Sequence, residues 1–334
     1  MYGYDDQWWD PNVQLSRTLF DKHKLTFGSE ITDNFRQDQS NSDPDGAPPN
    51  ISVPYQSLIW AIYGQDEFAI TSKLSLTAGL RDDHYYNGFG GTTNPRLGLI
   101  YHLLHSTTAK ILYGSAFRAP EPYEIYPAYS PFYENSLELR PETVRTIEGV
   151  IEQGLGDRFS LEGSVFRNWV GRLITLGTDP NNELSVYENS AGAHSTGLEL
   201  ELNAKLVAGL RARASYSFTE TIDALNGQTP PNSPDNLVKV NLGLPLLHER
   251  LFAAADAQYT DARTTLAGNI LPAFAVVNAT LSGHAWRKRL DISASVYNLL
   301  NKRYADPARP EDPESAIPQD GRTFAVTTTF RFFQ

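Results

Sequence analysis

From Thr196 to Ala204 the chain reads T-G-L-E-L-E-L-N-A, with Leu198, Leu200 and Leu202 at one parity and Gly197, Glu199, Glu201 and Asn203 at the other. Successive side chains of a β-strand point to opposite faces, so this alternation predicts a strand with one apolar and one polar face. The pattern recurs. Leu210, Ala212, Ala214, Tyr216 and Phe218 alternate with Arg211, Arg213, Ser215 and Ser217; Leu74, Leu76, Ala78 and Leu80 with Ser75, Thr77, Gly79 and Arg81; Val238, Val240, Leu242 and Leu244 with Lys239, Asn241 and Gly243. Fifteen such strands are predicted, near 13–20, 23–36, 55–70, 73–86, 94–104, 108–118, 139–153, 158–176, 184–204, 210–221, 236–247, 250–261, 272–285, 289–304 and 321–333. Several exceed the five or six residues of an ordinary globular strand. No amphipathic helix is predicted between them, so the expected fold class is all-β.

The connections sort by length. Tight polar turns fall at Asp21-Lys22, Ser72-Lys73, Gly156-Asp157 and Arg287-Lys288, whereas stretches rich in Pro, Gly, Asn and Asp occupy 37–54, 119–138, 222–235 and 305–320. A transmembrane antiparallel β-barrel alternates short periplasmic turns with long extracellular loops in this way, and a sandwich has no reason to. With the apolar face against lipid, the polar face lines an interior carrying Arg81, Asp83, Arg96, Glu199, Glu201, Arg211, Arg213, Lys239 and Asp256. A narrow barrel packed with side chains could not solvate these charges, so the expectation is a wide lumen, water-filled or holding a polar plug. Tyr259, Trp286, Tyr304, Phe324 and Phe332 sit near predicted strand ends, where interfacial aromatic girdles occur.

Composition removes other classes. Thirty-nine acidic against 28 basic residues argue against a nucleic-acid partner, and the lack of cysteine excludes a disulfide scaffold and a thiolate site. An odd number of strands would put the termini on opposite sides of the membrane, whereas single-chain bacterial barrels have an even number. Met1-Tyr2-Gly3-Tyr4-Asp5-Asp6 also lacks the basic and apolar regions of a signal peptide. Residues 1–334 are therefore expected to be one partial outer-membrane barrel domain, the C-terminal part of something larger, without a signal peptide.

Several strings, in order, resemble the TonB-dependent outer-membrane receptors: Asn94-Pro95-Arg96; Phe117-Arg118-Ala119-Pro120; Leu139-Arg140-Pro141-Glu142-Thr143; Asn189 followed by Gly197-Leu198-Glu199; Tyr297-Asn298-Leu299-Leu300-Asn301-Lys302-Arg303-Tyr304; and Gly321-Arg322-Thr323-Phe324, running to Phe332. The resemblance implies the last fifteen strands of a 22-stranded barrel, with about seven strands and the plug upstream. It implies a receptor and active transporter for a scarce nutrient, a ferric siderophore being the leading cargo. Haem, cobalamin and oligosaccharides are the other ligands of receptors of this shape. The implied partners are outer-membrane lipid, the TonB energy-coupling complex acting through the plug, and the barrel-assembly machinery. A terminal Phe333-Gln334 after Phe332 departs from the family's usual aromatic end. The barrel positions carried by the motifs are Phe117, Arg118, Pro120, Pro141, Glu142, Asn298, Gly321 and Arg322. Arg118 and Glu142 are expected to serve the wall or the plug interface rather than the ligand.

Candidate ligand contacts are aromatics in the extracellular loops: Tyr85, Tyr86, Phe89, Tyr123, Tyr129, Phe132 and Tyr133. Aromatic rings in exposed loops either pack on neighbouring loops or meet a ligand, and packing is the plainer outcome for each. No catalytic constellation, metal site or cofactor is predicted. Asp82-Asp83-His84 could hold a cation or act as a general base, which would suit a rim hydrolase, and Glu311, Asp312 and Glu314 could hold calcium. Both clusters are more simply solvated rims. A passive porin, a rim hydrolase and a truncated fragment without transport remain as alternatives to the receptor.

Overall fold

The computed structural model describes residues 2–41, 51–86, 88–127, 133–247, 250–285, 289–309 and 312–332. One antiparallel sheet dominates it. The edge strand β1 is built from two segments, Tyr2–Trp9 and Asn12–Leu19, which pair with the upper and lower halves of β2, His23–Asn41. The wall continues through β3 (Ser57–Ala69), β4 (Leu74–Tyr85), β5 (Gly90–Leu104), β6 (Thr107–Arg118), β7 (Glu142–Leu155) and β8 (Phe159–Gly171). It goes on through β9 (Gly192–Lys205), β10 (Arg211–Asp223), β11 (Asn236–Leu246), β12 (Leu251–Thr260), β13 (Phe274–Ala285), β14 (Leu290–Tyr297) and β15 (Thr323–Phe330). Each wall strand pairs with the one before it. All fifteen strands read from the alternation are present. Among the described residues, β1 and β15 have no strand on their outer sides, so the sheet is an open wall, not a closed ring.

The register sorts the two faces as the alternation requires. Leu198 stands between Val165 and Phe218, while Glu199 stands between Ser164 and Ser217. The apolar face carries Leu15, Phe27, Ile62, Leu80, Leu97, Ile111, Ile151, Val165, Leu200, Leu281 and Val326, all exposed. Among the described residues, buried apolar side chains are few: Ala61, Leu139, Val150, Ala204, Phe274 and Ala308. A sheet one layer thick, apolar on one side and almost without a core, is stable only where hydrocarbon takes the place of water on that side.

Close packing on the inner face explains one motif glycine. A Cβ on Gly197 would lie 2.4 Å from Phe166 Cζ and 2.6 Å from the carbonyl oxygen of Phe218, so the Phe166 ring occupies the space a side chain would need. Phe20 and Asp21 both have φ +54° and the Lys22 N–H donates to the Leu19 carbonyl (3.1 Å), which is the primed turn that matches strand twist in two-residue hairpins.

Three readings change. The strands expected at 158–176 and 184–204 each contain two elements: β8 and β9 stop at Gly171 and Gly192, and the loop between them folds its own hairpin, Ile174–Thr178 with Ser185–Asn189. The strand expected to run to 304 ends at Tyr297, because Asn298 and Asn301 take φ +49° and +52°, which breaks the ladder. The extracellular connection between β4 and β5, residues 86–89, is short, so loop lengths do not alternate strictly. The loop after β6 carries the single turn of helix α1, Pro122–Ile125.

Candidate functional site

The extracellular end of the wall gathers most of the motif residues. Arg118, the last residue of β6, stands opposite Glu142, the first of β7. Its guanidinium donates to both oxygens of Glu142 (Nε–Oε2 2.7 Å, Nη2–Oε1 2.8 Å) and to both of Glu124 (Nη1–Oε2 3.0 Å, Nη2–Oε1 2.9 Å). Glu124 lies on α1, is almost wholly buried, and accepts the Glu121 N–H (2.8 Å) in a capping box. Glu142 also accepts the N–H of Ile174 (2.8 Å), which pins the start of the loop hairpin. Asn189, at the end of that hairpin, accepts the Arg140 N–H (2.8 Å) and donates to the carbonyls of Arg140 (2.8 Å) and Arg172 (2.9 Å). Pro120 lies in the turn leading into α1, and the buried Pro141 adjoins Glu142. One arginine fork thus ties two long loops to two wall strands. Two bidentate carboxylates satisfy a guanidinium's planar donor set, so Arg118 has little capacity left for a ligand.

A second knot closes the last loop. Asn298 is buried; its side chain accepts the Lys302 N–H (2.8 Å) and donates to the carbonyls of Lys302 (2.8 Å) and Asp320 (3.1 Å), and its N–H donates to Asn278 Oδ1 (2.8 Å). Asn301 Oδ1 accepts the Arg322 N–H (2.9 Å), and a Cβ on Gly321 would come 2.7 Å from that oxygen. Arg322 Nε returns to the Leu299 carbonyl (2.9 Å). Arg263 draws in the neighbouring loops, donating to Asp306 (2.8 Å), Asn232 (3.3 Å) and the Ala305 carbonyl (3.2 Å) beside the Phe274 ring. Phe274 stacks on Tyr304 at 4.2 Å, which makes Tyr304 a loop-packing residue rather than a girdle residue. Burial, with Asp306 and Asp320 near, pushes the Tyr304 hydroxyl above the usual tyrosine range.

The aromatic candidates divide. Tyr85, half-buried, packs on Phe89 (ring centroids 4.5 Å) and on Phe117 (6.0 Å), and Phe89 meets Phe117 edge-on at 6.3 Å. These three rings hold the short β4–β5 loop to the end of β6. Tyr86 and Tyr123 are exposed, the latter edge-on to Tyr187 at 5.9 Å. Tyr133 is partly buried and bridges to Ser185 of the loop hairpin. Tyr129 and Phe132 lie outside the described residues, as do Trp286 and Glu311. Tyr55 and Tyr126 approach to 5.9 Å, and burial raises the Tyr55 hydroxyl's pKa. Among the described candidates, the rim therefore offers two exposed aromatic groups: Tyr123, on the loop tied by the Arg118 fork, and Tyr86, on the short loop held by the Tyr85–Phe89–Phe117 rings.

Below the rim, the inner face carries paired charges. Arg81 donates to Glu30 (3.0 Å) and to the buried Asp83 (2.9 and 3.1 Å) beside a cavity of about 350 Å³ shared by Tyr63, Asn94 and Arg96. Lys110 pairs with Glu152 and Arg213 with Glu201. Asp82 and His84 fall on the opposite, outer face; Thr93 donates to Asp82, and His84 stacks on Trp60 at 5.2 Å. The pleat thus splits the Asp82-Asp83-His84 string, and Asp83 cannot serve His84 as a catalytic partner. Among the described residues, no group of three or more potential ligands could hold a metal ion.

Sequence reasoning did not single out Glu124, Asn301 or Arg263. Glu124 was within reach, since it lies only six residues after Arg118; nothing in the sequence joins Arg263 to Asp306.

A family model described as the TonB-dependent receptor-like β-barrel matches residues 1–299. The chain is 25% identical over 319 residues to the iron-regulated outer membrane virulence protein of Vibrio cholerae serotype O1, covering 87% of this chain and 48% of that protein. It is 27% identical over 251 residues to the ferric enterobactin receptor of Pseudomonas aeruginosa, covering 65% of this chain and 33% of that one. The chain therefore spans half or less of the length of these relatives. A crystal structure of a mutant of the same P. aeruginosa receptor superposes with a TM-score of 0.80 at 22% identity, covering 98% of this chain and 54% of that chain, which speaks to the fold.

Proposed function

The chain belongs to the family of TonB-dependent receptor-like β-barrels, and from that premise we propose that it forms barrel wall and loops of a receptor that takes up a scarce nutrient, a ferric siderophore. It is an outer-membrane protein and not an enzyme. The reading rests on one observation above the others: among relatives over most of its length are an iron-regulated outer-membrane protein and a ferric enterobactin receptor, with vitamin B12 transporters and a haem/hemopexin utilisation protein at similar identity as the rival cargoes. The loop architecture supports it. A rim that captures a ligand must hold its loops in place without using up every exposed aromatic, and the Arg118 fork and the Tyr85–Phe89–Phe117 rings brace the loops on which Tyr123 and Tyr86 stay exposed. Beneath it, a charge-lined inner face needs water or a polar plug as its partner. In this reading TonB acts through an N-terminal plug, and the assembly machinery engages the last strand.

Uptake of labelled ferric siderophore by cells with and without the gene tests the proposal. Uptake should be lost with the gene, and lost equally when TonB is removed. Uptake that persists without TonB would make the wall a passive pore. Preferential competition by haem or cobalamin would reassign the cargo while leaving the receptor in place.

A further inference from the structure

The outer face of β7–β9 contains an anomaly. Register places Ile147, Arg167 and Thr196 in one row across the three strands, and Arg145, Trp169 and His194 in the next. These residues share a face with Ile151, Val165 and Leu200, which belong to the exposed apolar belt. Within this patch, two arginines, Arg145 on β7 and Arg167 on β8, therefore project from the lipid-facing side. Several charged groups of the wall have partners: Arg81, Lys110 and Arg213 on the inner face, and on the outer face Asp66 with His23 (2.7 Å) and Asp82 with Thr93. Among the described residues, neither Arg145 nor Arg167 is in an ion pair. The nearest carboxylate by register, Glu220 opposite Thr196, pairs with neither.

Height and geometry indicate what neutralises them. Arg145 lies three residues from the extracellular end of β7 and Arg167 four from that of β8. At about 3.3 Å per residue and a tilt of about 40°, that is roughly 8–10 Å below the strand ends, near the edge of the apolar band. The indole of Trp169 marks an interfacial level, and the Arg167 guanidinium lies over it at 5.3 Å. A guanidinium held over an indole face by the ring's negative quadrupole keeps N–H donors for a further partner, and phosphate oxygens match them. His194 adds a donor in the same row as Trp169.

We propose that Arg145, Arg167 and His194, ordered by Trp169, form a binding site for a phosphate-bearing lipid headgroup of the outer leaflet. The acyl chains of that lipid would lie along Ile147, Ile151 and Val165. The site depends only on the wall standing in an outer membrane, not on the cargo the receptor carries.

Energy transfer from tryptophan to a trace of labelled lipid A in phosphatidylcholine vesicles holding the receptor tests this. The wild-type protein should show enrichment of bisphosphorylated lipid A, falling several-fold with its dephosphorylated form. The Arg145→Gln/Arg167→Gln protein should show a similar fall, and Arg145→Lys/Arg167→Lys an intermediate value. Equal transfer from the phosphorylated and dephosphorylated lipids would overturn the proposal, and that arm needs no variant to fold. Abolition of transfer by inorganic phosphate would also overturn it, by making the site one for free anions.

Discussion

The wall and its extracellular end are specified in different ways. In the wall, β9–β11 are stabilised by parity: leucine, valine and alanine face lipid, polar groups face the lumen, and within each class the residue matters little. At the extracellular end, single residues carry the structure. Arg118 joins four carboxylate oxygens, Asn298 joins two strand ends and a loop, and neither has a substitute nearby. A lipid-facing wall has to satisfy one solvent rule repeated many times. A loop assembly in water has no core to order it, so it needs specific polar bonds.

The largest expected effect breaks the second kind. Arg118→Ala strands two carboxylates, one of them almost fully buried, and should cost about 3 kcal/mol or more in thermal or denaturant unfolding of the receptor. The exposed lumenal Arg213→Ala should cost less than about 1 kcal/mol. Equal losses for the two would erase the distinction between regions. In the wall, parity rather than identity should decide. Val240→Lys, near the middle of β11, should destabilise by about 2–4 kcal/mol, whereas Val240→Leu should change stability by less than about 1.5 kcal/mol. A tolerated lysine would mean that this face does not meet hydrocarbon.

Gly197 is where the wall behaves like the rim. Gly197→Ala should cost about 1–3 kcal/mol through overpacking against Phe166. Adding Phe166→Ala should recover only part of the loss, because the Phe218 carbonyl also blocks a Cβ. Complete recovery would show that the ring alone excludes a side chain.

The smallest effect is a pH dependence of the loop after β12. The side-chain amide of Asn236 and the Ala262 N–H hold the Asp261 carboxyl below the usual aspartate range. A lowered folded pKa means stability that is fully present above about pH 4 and lost as the pH falls through the depressed value. Hydrogen-exchange protection factors at residues 261–271, with the intrinsic pH dependence of exchange divided out, should fall on acidification in the wild type and be less pH-sensitive in Asp261→Asn.

Much of this division was legible in the sequence. Alternation located all fifteen wall strands, though not the Tyr2–Trp9 half of β1, because it is the direct imprint of two solvents on a pleated chain. It failed where the chain leaves the pleat. The run through Tyr297-Asn298-Leu299 keeps the composition of a strand, but the left-handed backbone of Asn298 and Asn301 leaves no mark on hydrophobic pattern. The loop hairpin Ile174–Thr178 with Ser185–Asn189 has the same period as the wall and was absorbed into it. Motif strings pointed to Arg118, Glu142, Asn298, Gly321 and Arg322, though not to the bonds between them. Whether Tyr85 packs or waits for a ligand depends on Phe89 and Phe117, a contact between two loops that one-dimensional pattern does not carry.

The meander of the wall also bears on how such chains diversify. Each strand is bonded to its neighbours in the chain, so a hairpin can be deleted or duplicated as a block without rethreading the rest. The flanking strands then meet in the same antiparallel sense, and parity is conserved across the new seam. The unit that recombination can copy is therefore two strands and their turn, while the polar knots above are inherited residue by residue.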